Sequence, residues 1–235
     1  MRHVLVFGDS LTFHGPATPV ALTDPRLFPN VMAAALGPDV RPDVVARLGW
    51  TARDAWWALT KDPQVASVLA PRADALVLAV GQMDHLPAAI PTYLREGIAY
   101  LRPGGLRRRV RAVYHQVGPH VIRISGGRLR QLPQAATDTY LSRIVQAMRI
   151  LRGDLPVVLL GPSPHAAAIY PSHRQHAPAV AAARRWAQRE GVVLVELDPI
   201  VGPSLAAGTG NPDGMHWGWQ VHEDIGRAVA AALLR

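Results

Sequence analysis

Five short apolar runs, at 3–7, 44–48, 75–80, 157–160 and 192–197, punctuate this chain at intervals long enough to hold a helix. Runs of four to six residues, mostly Val, Leu and Ala without polar alternation, read as strands buried on both faces. Between them, 28–36, 51–59, 178–190 and 220–234 carry apolar residues at helical spacing, several with Asp, Thr or Pro near the start. A strand followed by a helix, repeated, builds a parallel sheet with helices on both faces. The expectation is therefore an α/β chain with a five-stranded, doubly wound parallel sheet. Ligands of such sheets bind beyond the carboxyl ends of the strands, so residues just after each run are the first places to look for chemistry.

The interval 86–152 breaks the rhythm, with two or three helical patterns, a Pro/Gly-rich loop and no convincing strand. It reads as a helical insert or lid within a single domain spanning 1–235. It also holds most of the charge asymmetry. The chain has 25 Lys+Arg against 17 Asp+Glu, a formal net charge of +8. Between Gly97 and Thr137 lie eight Arg and no acid, so this stretch alone carries the excess. With 49% hydrophobic and 18% charged residues, disorder and coiled coils are excluded. The absence of cysteine removes disulfides, thiolate metal sites and thiol nucleophiles. No apolar stretch approaches the ~20 residues of a membrane helix, and the start lacks a signal-peptide core, so the chain reads as soluble and cytoplasmic.

After the first run comes Gly8-Asp9-Ser10-Leu11, a serine at the carboxyl edge of the sheet. Near the other end, Asn211-Pro212-Asp213-Gly214-Met215-His216-Trp217 sets an Asp three residues before a His, just ahead of the last helix. Each half alone fits a bland role, a helix-capping Ser or a loop His packed on Trp217. Together they supply a nucleophile, a general base and a carboxylate to orient that base. This combination resembles the SGNH, or GDSL, hydrolase superfamily over essentially the whole chain, which implies an SGNH-like, flavodoxin-like fold. In that family the serine is nucleophile and, through its backbone N–H, an oxyanion donor. The resemblance implies those roles for Ser10, a second backbone donor at Gly49, and a base at His216 held by Asp213.

One block departs from the pattern. Where the superfamily has Gly-x-Asn-Asp, with Asn as an oxyanion donor, this chain reads Gly81-Gln82-Met83-Asp84. A thioether donates no hydrogen bond, and losing one such donor typically costs ~10²- to 10³-fold in rate. Gln82 or a backbone N–H are the alternatives for that role. The departure itself matches a narrower group. Asp24-Pro25-Arg26, Gly49-Trp50-Thr51, Trp56-Trp57, Met83-Asp84, Leu86-Pro87 and Asn211-Pro212-Asp213-Gly214 with His216-Trp217 resemble the diglucosylglycerate octanoyltransferases of methylglucose lipopolysaccharide synthesis. The resemblance implies transfer of an octanoyl group from an activated thioester, on CoA or acyl carrier protein, to a glucose hydroxyl.

A chain of about six methylenes, at ~0.8 kcal/mol each, gains on the order of 5 kcal/mol in an apolar slot. Trp50, Trp56, Trp57, Leu86 and Ile90 are candidate walls, although for any single one of them ordinary core packing is the stronger explanation. Asp9, Gln82, Met83, Asp84 and His165 complete the expected substrate contacts by their place at the active edge. The Arg-rich insert suits anionic partners, such as the glycerate carboxylate or a phosphate-bearing donor; a solvated basic face explains it as well. No nucleic-acid motif accompanies it, so no nucleic-acid partner is expected. Gly208-Thr209-Gly210 lacks the rest of a dinucleotide loop, no Walker or His-Glu-x-x-His sequence occurs, and His173 with His176 lack nearby carboxylates. No cofactor or metal is expected. Two alternatives stay open: an esterase or lipase using the same triad, and a non-catalytic module binding anionic glycans or nucleic acid. The oligomeric state and the carrier of the acyl group are left undetermined.

Overall fold

The first apolar run becomes a strand with neighbours on both sides, and the rest of the architecture follows from where its side chains point. The computed structural model describes residues 1–235. Its elements are β1 (Arg2–Gly8), α1 (Phe28–Leu36), β2 (Val40–Ala46), α2 (Ala52–Lys61), a π turn (Val65–Leu69) running into α3 (Ala70–Arg72), and β3 (Ala75–Ala79). There follow α4 (Thr92–Gly97), α5 (Gly104–Ile124), α6 (Gln134–Arg152), β4 (Val157–Leu160), α7 (His176–Glu190), β5 (Val193–Val195), α8 (Asp198–Ala207) and α9 (Trp219–Leu233). The five strands form one sheet in the order β2-β1-β3-β4-β5, every pairing parallel. The chain winds outward from β1 to β2 and then crosses back to β3. The crevice at this reversal, beyond the carboxyl ends of β1 and β3, is where such sheets bind ligands.

Alternation along the strands separates two cores. Leu5, Phe7, Leu76 and Leu78 face one side, where they pack with Leu59 of α2, Ile144 and Met148 of α6 and Trp186 of α7. Val4, Val6, Val77 and Ala79 face the other, against Phe28 and Met32 of α1, Val201 of α8 and Ile225 and Val229 of α9. Strands sandwiched in this way carry apolar side chains on both faces, which is why the runs read as continuous.

Three details differ from the expectation. β2 lies at Val40–Ala46, four residues earlier than the run at 44–48 at its start, because Arg41, Pro42 and Asp43 interrupt its apolar character. Proline is tolerated there since β2 is an edge strand, paired only with β1. The short α8 was not anticipated; two prolines, Pro199 and Pro203, obscure its helical spacing. The helical insert also narrows. α6 contributes Leu141, Ile144, Val145 and Met148 to the first core, so it is the crossover helix that any parallel β3–β4 connection needs. The extra part is α4 and α5. No helix is long and apolar enough to cross a membrane.

Candidate active site

Ser10 follows β1 by two residues and opens a single 3₁₀ turn, Ser10–Thr12. The turn is held by Asp9, whose Oδ1 accepts the Leu11 N–H at 2.9 Å. Ser10 is buried, and its own N–H has no partner in the chain. His216 reaches it from the loop before α9: Ser10 Oγ lies 3.0 Å from His216 Nε2, and His216 Nδ1 lies 2.5 Å from Asp213 Oδ2. Asp213 holds the Nδ1–H tautomer, so Nε2 is free to accept the serine proton. The carboxylate is itself fixed, because its Oδ1 accepts the N–H groups of Met215 at 2.8 Å and His216 at 3.0 Å. Gly214 makes the loop possible. Its φ is +71°, its carbonyl accepts the Ala166 N–H at 2.6 Å, and a Cβ there would stand 2.6 Å from the Ala166 carbonyl.

The electrostatics suit a base. Burial lowers the His216 pKa below the ordinary histidine value, and the Asp213 carboxylate opposes the shift only in part. Burial raises the Asp213 pKa, but the backbone N–H groups of His216 and Met215 and the imidazole outweigh it, leaving the carboxylate more acidic than usual. Gly49 sits in the loop after β2, at φ +72°, with an unpartnered N–H. Since Ala46 pairs with Gly8, the Gly49 loop leaves the sheet beside Ser10.

The structure adds a residue that the sequence did not point to. The His14 ring stacks on His216, with centroids 3.7 Å apart and an interplanar angle of 18°. Its backbone carbonyl in turn accepts the Nε2–H of the fully buried His222 at 3.1 Å. Nothing in the spacing from Ser10 distinguishes His14 from an ordinary turn residue.

Several expected substrate contacts have other duties. Gln82 donates its amide hydrogens to the carbonyls of Leu160 at 3.3 Å and Gly161 at 2.8 Å, and its oxygen accepts the Ser163 N–H at 2.6 Å. It therefore has no hydrogen to offer an oxyanion. Asp84 is buried and accepts from the Ala52 N–H at 3.2 Å and the Thr137 hydroxyl at 2.8 Å, which fastens α2 and α6 to the end of β3. Asp9 is wholly buried beneath the turn it caps. Trp56 packs on the first core, and Trp50 and Trp57 line a separate cleft beside β2 that includes Lys61 and Val45. By contrast, Met83, Leu86 and His165 meet Leu11 and Met215 around a small hollow of about 10 Å³ next to the Ser10 turn. His173 stacks obliquely near His165, with centroids 4.6 Å apart, whereas His176 pairs with Asp198 at 2.7 Å. The two histidines thus serve different neighbours.

No protein-family model matches the chain. Two curated relatives do. The diglucosylglycerate octanoyltransferase of Mycolicibacterium hassiacum is 42% identical over 231 residues, covering 98% of this chain and 94% of that protein. The Mycobacterium tuberculosis enzyme of the same name is 40% identical over 231 residues, covering 98% and 91%. This chain belongs to the diglucosylglycerate octanoyltransferase family. Among solved structures, a lipase/acylhydrolase from Enterococcus faecalis superposes with a TM-score of 0.65 at 17% identity, covering 98% of this chain and 94% of its own. A carbohydrate acetylesterase family member from Sinorhizobium meliloti gives 0.55 at 17% identity, with both chains covered completely. This octanoyltransferase family member thus shares the α/β fold of those acylhydrolase and acetylesterase structures. A hydrogen-bonded serine, a base of lowered pKa and two unpartnered N–H groups at one sheet edge can attack an acyl carbonyl and hold the resulting oxyanion.

Proposed function

We propose that this chain moves an octanoyl group from an acyl thioester to a glucose hydroxyl of diglucosylglycerate through an ester on Ser10. The observation that carries the reading is the continuous hydrogen-bonded line from Ser10 through His216 to Asp213. Ser10 Oγ attacks the thioester carbonyl as its proton passes to His216 Nε2. The C–S bond then breaks and the departing thiolate takes that proton, leaving octanoyl-Ser10. A glucose hydroxyl next gives its proton to Nε2 and attacks the ester carbonyl; Ser10 leaves and recovers the proton. The N–H groups of Ser10 and Gly49 hold the oxygen that becomes negative in both steps.

Transfer to sugar competes with transfer to water, so the reading also needs cover over the serine. In this reading helices α4 and α5 give that cover; the cavity they line also takes in Leu48 before Gly49 and Tyr170 after β4. Mass spectrometry of the protein mixed with octanoyl-CoA, with and without diglucosylglycerate, tests the proposal. Octanoylated sugar should form with the natural chain faster than free octanoate and be absent with Ser10→Ala. Free octanoate released at one rate regardless of sugar would make the chain a hydrolase instead. Transfer that survives Ser10→Ala would overturn the acyl-enzyme.

A further inference from the structure

A cavity of about 470 Å³ lies between α4, α5, the loop after β2 and the loop after β4. Its rim takes in Leu48, which precedes Gly49, and Tyr170, whose ring meets His165 edge-on with centroids 6.1 Å apart. His165 in turn borders the hollow beside the Ser10 turn. The cavity is of ligand-enclosing size, and the Tyr170–His165 contact and the step from Leu48 to Gly49 tie its wall to the catalytic edge of the sheet.

Its charge is what sets it apart. Arg95 from α4 and Arg111 from α5 both line it, and neither takes part in any ion pair of the chain. The one acid in its wall, Glu96, is bound by Arg53. No Asp or Glu occurs from Gly97 to Thr137, so nothing on α5 can neutralise Arg111. Two guanidiniums without an acidic partner thus face a space whose wall also holds Ile98, Ile122, Ile169 and, as a further basic group, His115. A guanidinium also matches a carboxylate with two parallel N–H donors, a geometry that a diffuse positive surface does not offer.

We propose that this cavity is the acceptor subsite and that Arg95 and Arg111 read the acceptor's carboxylate. The inference rests on the proposed octanoyl transfer and adds what selects the acceptor: an acidic glycoside is taken, and its uncharged counterpart is refused. The aromatic rings and hydroxyls of Tyr114 and Tyr170, in the same wall, are suited to the sugar faces. Arg95 and Arg111 are specificity-determining residues here, with no part in the proton transfers.

Steady-state kinetics with octanoyl-CoA and two acceptors, diglucosylglycerate and diglucosylglycerol, test this. The natural chain should favour the acid in kcat/KM by tenfold or more. Arg95→Gln and Arg111→Gln should each reduce that acid-to-neutral ratio at least fivefold, mainly through KM for diglucosylglycerate, and Arg95→Lys should restore part of it. A ratio unchanged in both Gln variants would overturn the subsite. So would a rise confined to the KM of octanoyl-CoA, which would assign the arginines to the donor's phosphates. Octanoyl transfer by the natural chain that ignores both arginines defeats the subsite alone, whereas no transfer to either acceptor defeats the underlying function.

Discussion

At the residue scale, the proposed chemistry depends on His216 being neutral when it meets the Ser10 hydroxyl. Burial lowers its pKa, Asp213 pulls it partly back, and the sum lies below the ordinary value near 6.5. The active form is the deprotonated one, so kcat/KM should rise with pH through that lowered pKa and be level by pH 7. A pH–rate profile with its acid midpoint above 6.5 would contradict the assignment. Asp213→Asn removes both the favourable charge and the tautomer control, and kcat should drop on the order of 10⁴-fold. His14 gives a finer test. Its stacking keeps water from one face of the His216 ring, and its own positive charge, when protonated, disfavours a second one beside it. Both effects depress the His216 pKa. His14→Ala should therefore move the acid limb of the profile to higher pH, whereas His14→Phe, which keeps a ring against His216 but no charge, should move it less. Coincident profiles for all three would mean that the stack has no hold on the base.

At the scale of elements, the site is a matter of which loops the sheet brings together. The Asn211–Trp217 loop is shaped by its own backbone: the Asp213 N–H bonds the Asn211 side chain at 3.0 Å, and the Asn211 N–H bonds the His216 carbonyl at 3.1 Å. Gly214 then docks it on Ala166. Gly214→Ala forces a side chain into φ +71° and onto a carbonyl at 2.6 Å. Such strain costs on the order of 1–3 kcal/mol. Octanoyl transfer should fall at least tenfold with a drop of a few degrees in melting temperature, read by calorimetry alongside activity; a fully active Gly214→Ala would show that the loop geometry is not limiting. The same loops explain what was legible in the sequence. Ser10, Asp213 and His216 were readable because each lies in a short local pattern at a strand or helix end, and β1, β3 and β4 because burial on both faces leaves a plain apolar run. β2 was displaced because an edge strand admits Pro42. Asp84 and Gln82 looked like ligands of substrate because their real partners, Thr137 and Leu160, are distant in sequence. His14 was silent for the converse reason: its role is created by a ring 202 positions away, and no spacing records such a meeting.

At the scale of the whole molecule, the crevice that admits substrate is built over two buried carboxylates. Asp9 ends the β1 connection and Asp84 the β3 connection, on either side of the point where the strand order reverses. Burial pushes each up to about 7, against hydrogen bonds that pull the other way, and the Asp84 charge adds to the rise at Asp9. In the unfolded chain the same groups titrate near 3.8. Between those values the folded protein holds protons that the unfolded chain has released, so stability must fall as pH rises from about 4 to about 7. Each such proton is worth up to ~1.4 kcal/mol per pH unit inside that window. Asp9 is the cleaner one to change, because its Oδ1 already accepts the Leu11 N–H and its Oδ2 has no partner to lose. Asp9→Asn keeps the cap and removes the titration, so its melting temperature should decline less between pH 5 and pH 8 than that of the natural chain, the gap widening as pH increases. Parallel declines would mean that Asp9 enters the fold already ionised, held by the Leu11 N–H and not by protonation.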